Sequence, residues 1–160
     1  MIGIMADSHD NVHAVKRAVR LFKDAGCDLV IHAGDIVAPF AAREMEALNC
    51  PVKAVFGNCD GEKQGLQKAF STFGEINEAP LPFTHQDLDF LVMHILTNIE
   101  ADLLTGRHCV IVYAHTHKPE VNKDGKTLLI NPGETGGWVS GKSTVALLEP
   151  KTLSVEILTL

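Results

Sequence analysis

The sequence predicts an α/β fold with a mixed β-sheet system, and three observations carry that prediction. Short apolar runs of strand length alternate with amphipathic helical stretches over the first two-thirds of the chain. Paired runs around turn signals replace that alternation in the last third. Finally, one apolar run after another ends in a polar cluster of Asp, His, Asn and Gly, as strands do where they feed loops at one end of a sheet.

Ile2–Met5 is a buried first strand that ends at Ala6-Asp7-Ser8-His9. Val12, Val15, Val19 and Phe22 follow at helical spacing with Lys16, Arg17, Arg20 and Lys23 between them, and Gly26 stops the helix. Leu29–Ile31 is the second strand, ending at His32-Ala33-Gly34-Asp35. A second helix carries Ala41, Met45 and Leu48 and is closed by Asn49 and Pro51. Val52–Phe56 is the third strand, ending at Gly57-Asn58-Cys59-Asp60, and a helix is expected over Glu62–Phe70. Gly74–Pro82 lacks periodicity and reads as a connection. Leu88–Met93 is a strand ending at His94, Asn98–Leu104 a short helix, and Cys109–Tyr113 a strand ending at Ala114-His115-Thr116-His117. Glu120–Asn122 and Thr127–Ile130 flank Asp124-Gly125, a hairpin signal. Thr144–Leu148 and Val155–Leu158 form a second hairpin around Glu149-Pro150-Lys151. With no linker, repeat or low-complexity stretch, residues 1–160 read as one domain.

Composition narrows the classes. Hydrophobic residues at 46% and charged residues at 21% are globular values, and no apolar run reaches membrane-span length. Met1 to Asp7 reaches an acid too early for a signal peptide, so a cytoplasmic setting is expected. The four cysteines form no C-x-x-C pair; Cys27, Cys50 and Cys109 read as small core residues. A net charge of −6 without a basic stripe argues against general nucleic-acid binding. The sequence leaves open whether copies of the chain associate.

The polar clusters at the strand ends offer Asp7 and His9, Asp35, Asn58, His94, and His115 with His117. Oxygen and imidazole donors of this kind suit Mn, Fe, Co, Ni or Zn. In extended backbone, residues two apart share a face, so Asp7 with His9 and His115 with His117 are each expected to grip one site. Gly34 and Gly57 leave room at the turn, and Asp35 can offer one carboxylate oxygen to each of two cations. Taken singly, Asp7 is equally an N-cap, His94 a core histidine, and His115 and His117 a surface loop. Together, at strand ends, they read as one site. His32 is expected to support a ligand rather than bind metal; His13, His85 and His108 are expected to be solvated.

The ordered series Asp7-Ser8-His9, Gly34-Asp35, Gly57-Asn58-Cys59-Asp60, His94 and Ala114-His115-Thr116-His117, with Asn131-Pro132-Gly133, resembles the calcineurin-like metallophosphoesterase superfamily. Within it, the chain is similar to the small archaeal and bacterial phosphodiesterases and to the retromer subunit of the same fold. The resemblance implies a four-layer αββα sandwich, two mixed β-sheets flanked by helices. It implies two divalent metal ions, manganese first among them. One would be held by Asp7, His9, Asp35 and His117, the other by Asp35, Asn58, His94 and His115. A hydroxide bridging the pair would attack the phosphorus of a small phosphate-ester substrate, with Asn58, Cys59 and Asp60 lining the catalytic loop. Cys59 stands where the family usually has the histidine that assists the leaving group. Ile95 and Ala114 replace family glycines, and Ala114 is tolerable only at negative φ.

Gly136–Ser143 also satisfies the G-x-x-x-x-G-K-[ST] pattern. A phosphate loop must lead into a helix, whereas Thr144–Leu148 reads as a strand, so the stretch is expected to be a glycine-rich connection. Three functions compete: a phosphodiesterase, a binding scaffold that keeps the fold without turnover, and a nucleotide switch built on Gly136–Ser143. The complete set of ligand types favours the enzyme; Cys59 and Ile95 are what keep the scaffold in play.

Overall fold

The structure, a computed structural model, describes residues 1–97 and 106–160. Alternation in Ile2-Gly3-Ile4-Met5 gives β1 (Ile2–Met5) two buried faces: Ile2 and Ile4 join one apolar cluster, Met5 another. The same logic builds β2 (Leu29–His32) and β3 (Val52–Val55), which run parallel to β1 and are joined to it through helices.

Helix α1 (Val12–Asp24) starts where Asn11 Oδ1 accepts the Ala14 N–H at 3.1 Å, a cap worth about 1 kcal/mol. It buries Ala14, Val15, Ala18, Val19 and Phe22, all on one stripe. The expected second helix is instead a short turn, α2 (Pro39–Ala42), running into a 3₁₀ segment over Arg43–Ala47. Ala42, Met45 and Leu48 lie three apart and all face the core, the spacing a 3₁₀ turn aligns. Helix α3 (Lys63–Phe70) buries Leu66, Ala69 and Phe70.

Gly74–Pro82, expected to be a connection, contributes β4 (Gly74–Asn77), which pairs parallel with β3, and leads into β5 (Leu81–His85). Its pattern hid it because β4 is an edge strand with one buried apolar side chain, Ile76. The remaining strands are β6 (Leu88–Val92), β7 (Val110–Val112), β8 (Pro119–Asp124), β9 (Thr127–Pro132), β10 (Thr144–Glu149) and β11 (Ser154–Thr159). In the β8–β9 hairpin Asp124 pairs with Thr127, so the turn is Gly125-Lys126, one residue later than the Asp124-Gly125 signal placed it. The helix expected over Asn98–Leu104 lies outside the described residues.

Two mixed sheets result, in the orders β11-β10-β1-β2-β3-β4 and β5-β6-β7-β9-β8. Between them lies one core, in which Ile4, Ile31 and Val55 of the first sheet join Phe90, Val112 and Ile130 of the second. The helices cover the outer face of the first sheet, where Phe22, Met45, Leu66 and Phe70 pack with Val30, Val52 and Ala54. On the outer face of the second, Leu91, Ile111, Tyr113 and Leu129 cluster, with Leu96 against them. Parallel β1–β2–β3 in one sheet and β6–β7 in the other each present their carboxyl ends to a loop that carries site residues. Among the described residues, no helix is long and apolar enough to cross a membrane.

Candidate metal centre

The loops leaving β1, β2, β3, β6 and β7 bring the sequence-predicted ligands together in two groups. Potential ligand atoms of Asp7, His9 and His117 lie within 4.8 Å of one another, and so do those of Asp35, His94 and His115. In the first group, Nε2 of His9 and Nε2 of His117 each stand 3.9 Å from Asp7 Oδ1. Their two rings stack with centroids 5.3 Å apart. In the second, His94 Nε2 lies 3.3 Å from Asp35 Oδ2 and 2.9 Å from Asn58 Oδ1.

Asp35 joins the groups. Its Oδ2 is 3.7 Å from His9 Nε2 and 3.3 Å from His94 Nε2, while Oδ1 accepts the Cys59 N–H at 2.8 Å. The contacts to both groups run through Oδ2, whereas the sequence reading gave one oxygen to each cation. The pairing rule is corrected. His115 and His117 fall into different groups, and they, Asp7, His9 and Asp35 all have positive φ, between 41° and 71°. Left-handed kinks beyond the strand ends aim these side chains, not strand alternation. Positive φ in so many non-glycine residues costs energy, which the surrounding hydrogen bonds must offset.

Much of that restraint comes from Asp60. Its buried carboxylate accepts the backbone N–H groups of Asp35 (3.0 Å), Ile36 (2.8 Å), Val37 (2.7 Å) and Gly57 (2.7 Å). It thus holds the loop containing Val37, a β-branched residue at φ 84°. Asp60 braces the ligands through the backbone. Gly34 has φ +96°, and a Cβ at Gly57 would overlap the Asp35 carboxylate, so both glycines are steric requirements.

Metal ions fit this donor set. Asp7 Oδ1 and His9 Nε2 are buried and have no hydrogen-bond partner, although they face each other and other donors at 3.7–4.0 Å. Such spacing is too long for hydrogen bonds and suits atoms that converge on a shared cation. Burial pushes the Asp7 carboxyl up, and nearby Asp35 adds to it, against the pull of His94 and His117. At Asp35 burial acts the same way but is outweighed by hydrogen bonds from His94 and Cys59, leaving the group well below the usual carboxylate range. His94 Nδ1 lies 2.8 Å from the Ala33 carbonyl, an N–H donor contact that turns the Nε2 lone pair toward Asp35.

The comparisons with known proteins agree with this geometry. Residues 1–153 match the calcineurin-like phosphoesterase superfamily domain. The chain belongs to that superfamily. It is 34% identical over 152 residues to the phosphodiesterase MJ0936 of Methanocaldococcus jannaschii, covering 92% of each chain. It is 27% identical to the Escherichia coli phosphodiesterase YfcE, over 94% of this chain and 88% of that one. A solved structure of an archaeal phosphodiesterase superposes with a TM-score of 0.93 at 31% identity over 99% of both chains. Membership in the superfamily, together with the grouped ligands, makes the chain a metal-dependent phosphoesterase.

Around this phosphoesterase centre the remaining predicted residues take distinct places. His32 is fully buried; its Nδ1 accepts the Gly34 N–H at 3.2 Å, so Nε2–H donates to Ser8 Oγ at 3.0 Å. Burial pushes it down to about 3, and it is a neutral brace for the Asp7 and Asp35 loops. Cys59 is exposed, yet its sulfur groups with His9 and Asp35 within 4.8 Å. Desolvation, with the carboxylates of Asp35, Asp60 and Asp7, pushes its thiol up to about 11. Ile95 and Ala114 are absent from the positive-φ positions, so neither strains the loop. His13 is exposed as expected, whereas His85 sits in β5 near Asp28 at 3.4 Å and His108 is buried.

Glu134 escaped the sequence reading. It is fully buried, and its carboxylate accepts the N–H groups of Trp138 (2.7 Å), Val139 (2.9 Å) and Ser140 (2.8 Å) and the Ser140 hydroxyl (2.8 Å). Burial alone would raise it; these bonds win and hold it down at about 2. Its Oε1 also lies 3.4 Å from His117 Nδ1, the ring nitrogen opposite the one facing Asp7. A carboxylate behind a ligating histidine orients the ring. The available signal was its place as the one acid following Asn131-Pro132-Gly133 in a glycine-rich stretch. Asn131 itself donates to Thr116 Oγ1 at 3.0 Å and accepts the Gly133 N–H at 2.9 Å, bracing the His115–His117 loop.

Proposed function

We propose that this chain is a phosphodiesterase with a two-metal centre, in which Asp7, His9, Asp35 and His117 hold one divalent cation and Asp35, Asn58, His94 and His115 the other. The observation that carries the proposal is the position of Asp35 Oδ2 between His9 Nε2 at 3.7 Å and His94 Nε2 at 3.3 Å, a shared corner of two ligand groups. When bound, the cations supply the charge that yields a hydroxide nucleophile near neutral pH for in-line attack and offsets charge on the phosphoryl oxygens. The protein's part is to position. Asp60 fixes the Asp35 loop, the Ala33 carbonyl orients His94, and Glu134 backs His117. Asn58, exposed at the rim and 2.9 Å from His94, is placed to bind a phosphoryl oxygen as well as a cation. Cys59, beside it, faces the space where a leaving group departs.

The all-oxygen-and-nitrogen set of the proposed ligands supports manganese, with nickel, cobalt, iron or zinc as alternatives. Ligands drawn from both sheets support one domain over residues 1–160. The four free cysteines are consistent with a reducing, cytoplasmic setting. The named phosphodiesterase relatives support small diesters as substrates.

The test is a metal panel on demetallated protein with an activated aryl diester. Turnover is expected with manganese, nickel or cobalt and none after chelation. Asp35→Asn is expected to abolish turnover, and His13→Ala, exposed on α1, to retain it. Full activity in rigorously metal-free protein, or parallel behaviour of the two variants, would overturn the reading.

A further inference from the structure

The glycine-rich stretch that imitates a phosphate loop has a different use here. Gly136–Ser143 connects β9 to β10 and curls around the Glu134 carboxylate rather than a phosphate. Because the Trp138 and Val139 amides both point inward at that carboxylate, their side chains splay outward, 65% and 76% exposed. Exposed apolar side chains standing singly are ordinary on a folded surface, but Trp138 is held in place. The indole Nε1–H donates to the His9 carbonyl at 3.0 Å, and the loop is tied further by Asn11 Nδ2 to the Gly136 carbonyl at 2.7 Å. Trp138 is therefore a fixed aromatic surface, hydrogen-bonded to the backbone of a residue whose Nε2 faces the ligand groups.

We infer that Trp138 is the specificity-determining platform for the organic group of the substrate, and that it selects phosphate esters bearing an aromatic ring. The inference rests on the phosphodiesterase reading. With phosphorus at the ligand groups, an ester group is one oxygen away from it and must leave the centre across its rim. The indole, hydrogen-bonded to the His9 carbonyl, lies against the loop that follows β1 and carries two of the candidate ligands. Its N–H is already used, so what it offers a substrate is its π-face and edge, which favour offset stacking. Val139 extends the apolar surface beside it. Stacking of a ring on such an aromatic is sequence-tolerant and strong enough to change affinity about tenfold. Rigid anchoring adds to this, since no loop order is lost on binding.

Trp138 is the only tryptophan in the chain, so its emission reports on this surface alone. The probes are phenylphosphonate and methylphosphonate, whose P–C bonds resist hydrolysis, titrated onto zinc-loaded protein. Phenylphosphonate is expected to perturb the emission and to bind about tenfold tighter than methylphosphonate. Trp138→Ala, which lacks the emission and is titrated by calorimetry on the same zinc-loaded protein, is expected to equalise the two phosphonates, and Trp138→Phe to restore most of the preference. Equal binding of the two in the parent, or an undiminished preference in Trp138→Ala, would overturn the inference while leaving metal-dependent phosphonate binding intact. Loss of metal-dependent binding of both would instead strike the phosphodiesterase reading and this inference with it.

Discussion

Asp60 and Gly57 show how much of this centre is decided by groups outside the proposed ligand set. The Asp60 carboxylate gathers backbone amides from residues 35, 36, 37 and 57, and Gly57 leaves space for the Asp35 carboxylate. An added Cβ at 57 can be accommodated only by moving Asp35, whose carboxylate lies between the two candidate ligand groups. Displacement of a ligand by about 1 Å is on the scale that costs roughly 10²-fold in a site of this precision. Gly57→Ala is thus expected to lower manganese affinity by about 10-fold or more, the scale seen when groups that orient a ligand are disturbed. Gly61→Ala, where a Cβ meets open space, serves as the comparison and is expected to change it little. Equilibrium dialysis of the two variants checks this; equal affinities would mean that the Asp35 position is more tolerant than its packing indicates.

At the scale of elements, the same local sequence signals hold in some places and mislead in others. Ala41, Met45 and Leu48 carried a correct statement about which side chains are buried but the wrong helix type, because spacings of four and three fit an α-helix and a 3₁₀ turn alike over so short a run. The Asp7/His9 and His115/His117 pairs were legible as candidate ligands, and the structure brings them into the candidate groups. Their geometry was not legible, since positive φ at those residues is imposed by contacts such as Asp7 N–H to the Gly34 carbonyl, 3.0 Å, and His115 N–H to Asp7 Oδ2, 3.2 Å. The Gly136–Ser143 match to a phosphate loop was rightly set aside from the strand that follows, now β10. What fills the loop is Glu134, an anion supplied by the chain itself. Lys142 is exposed at its end and leads into a strand, not a helix. Lys142→Ala is accordingly expected to keep phosphoesterase turnover within a few-fold of the parent and to leave ATP binding as weak as before. Tight ATP binding in the parent that disappears in the variant would restore the nucleotide-switch reading.

For the molecule as a whole, the centre lies where the two sheets meet, and its charge bears on stability. Asp7 and Asp35 are buried carboxylates on a shared face, and Asp7 Oδ1 has no hydrogen-bond partner. Burial of an uncompensated anion is costly, so cations that bind the native centre and not the unfolded chain stabilise the fold by mass action. At a hundredfold excess over its dissociation constant, one cation contributes about 2.7 kcal/mol, which for a chain of this length is a rise of roughly 5–10 °C in Tm. Calorimetry of demetallated protein with and without manganese measures it. Asp35→Asn is expected to lose most of the shift. No rise at saturating manganese would argue that the ligand groups do not form a metal site.

The sequence by itself determined the α/β class, most strands, and the identities of the residues gathered at the centre. Hydrophobic periodicity is local, and the polar clusters sit immediately after the apolar runs that position them, as Asp35 follows Leu29–Ile31 within a few residues. The division of those residues came from the family resemblance and from no local pattern, and the structure groups His117 with Asp7 and His115 with Asp35 in the same way. Only the tertiary structure turned Oδ2 of Asp35 toward both His9 and His94 and made an edge strand of Gly74–Asn77. It also brought Glu134 behind His117 and seated Trp138 on the His9 carbonyl, contacts that span up to 129 positions of sequence. Such pairings depend on sheet order and on loops bent into left-handed backbone by distant hydrogen bonds, and no local pattern of side chains encodes either one.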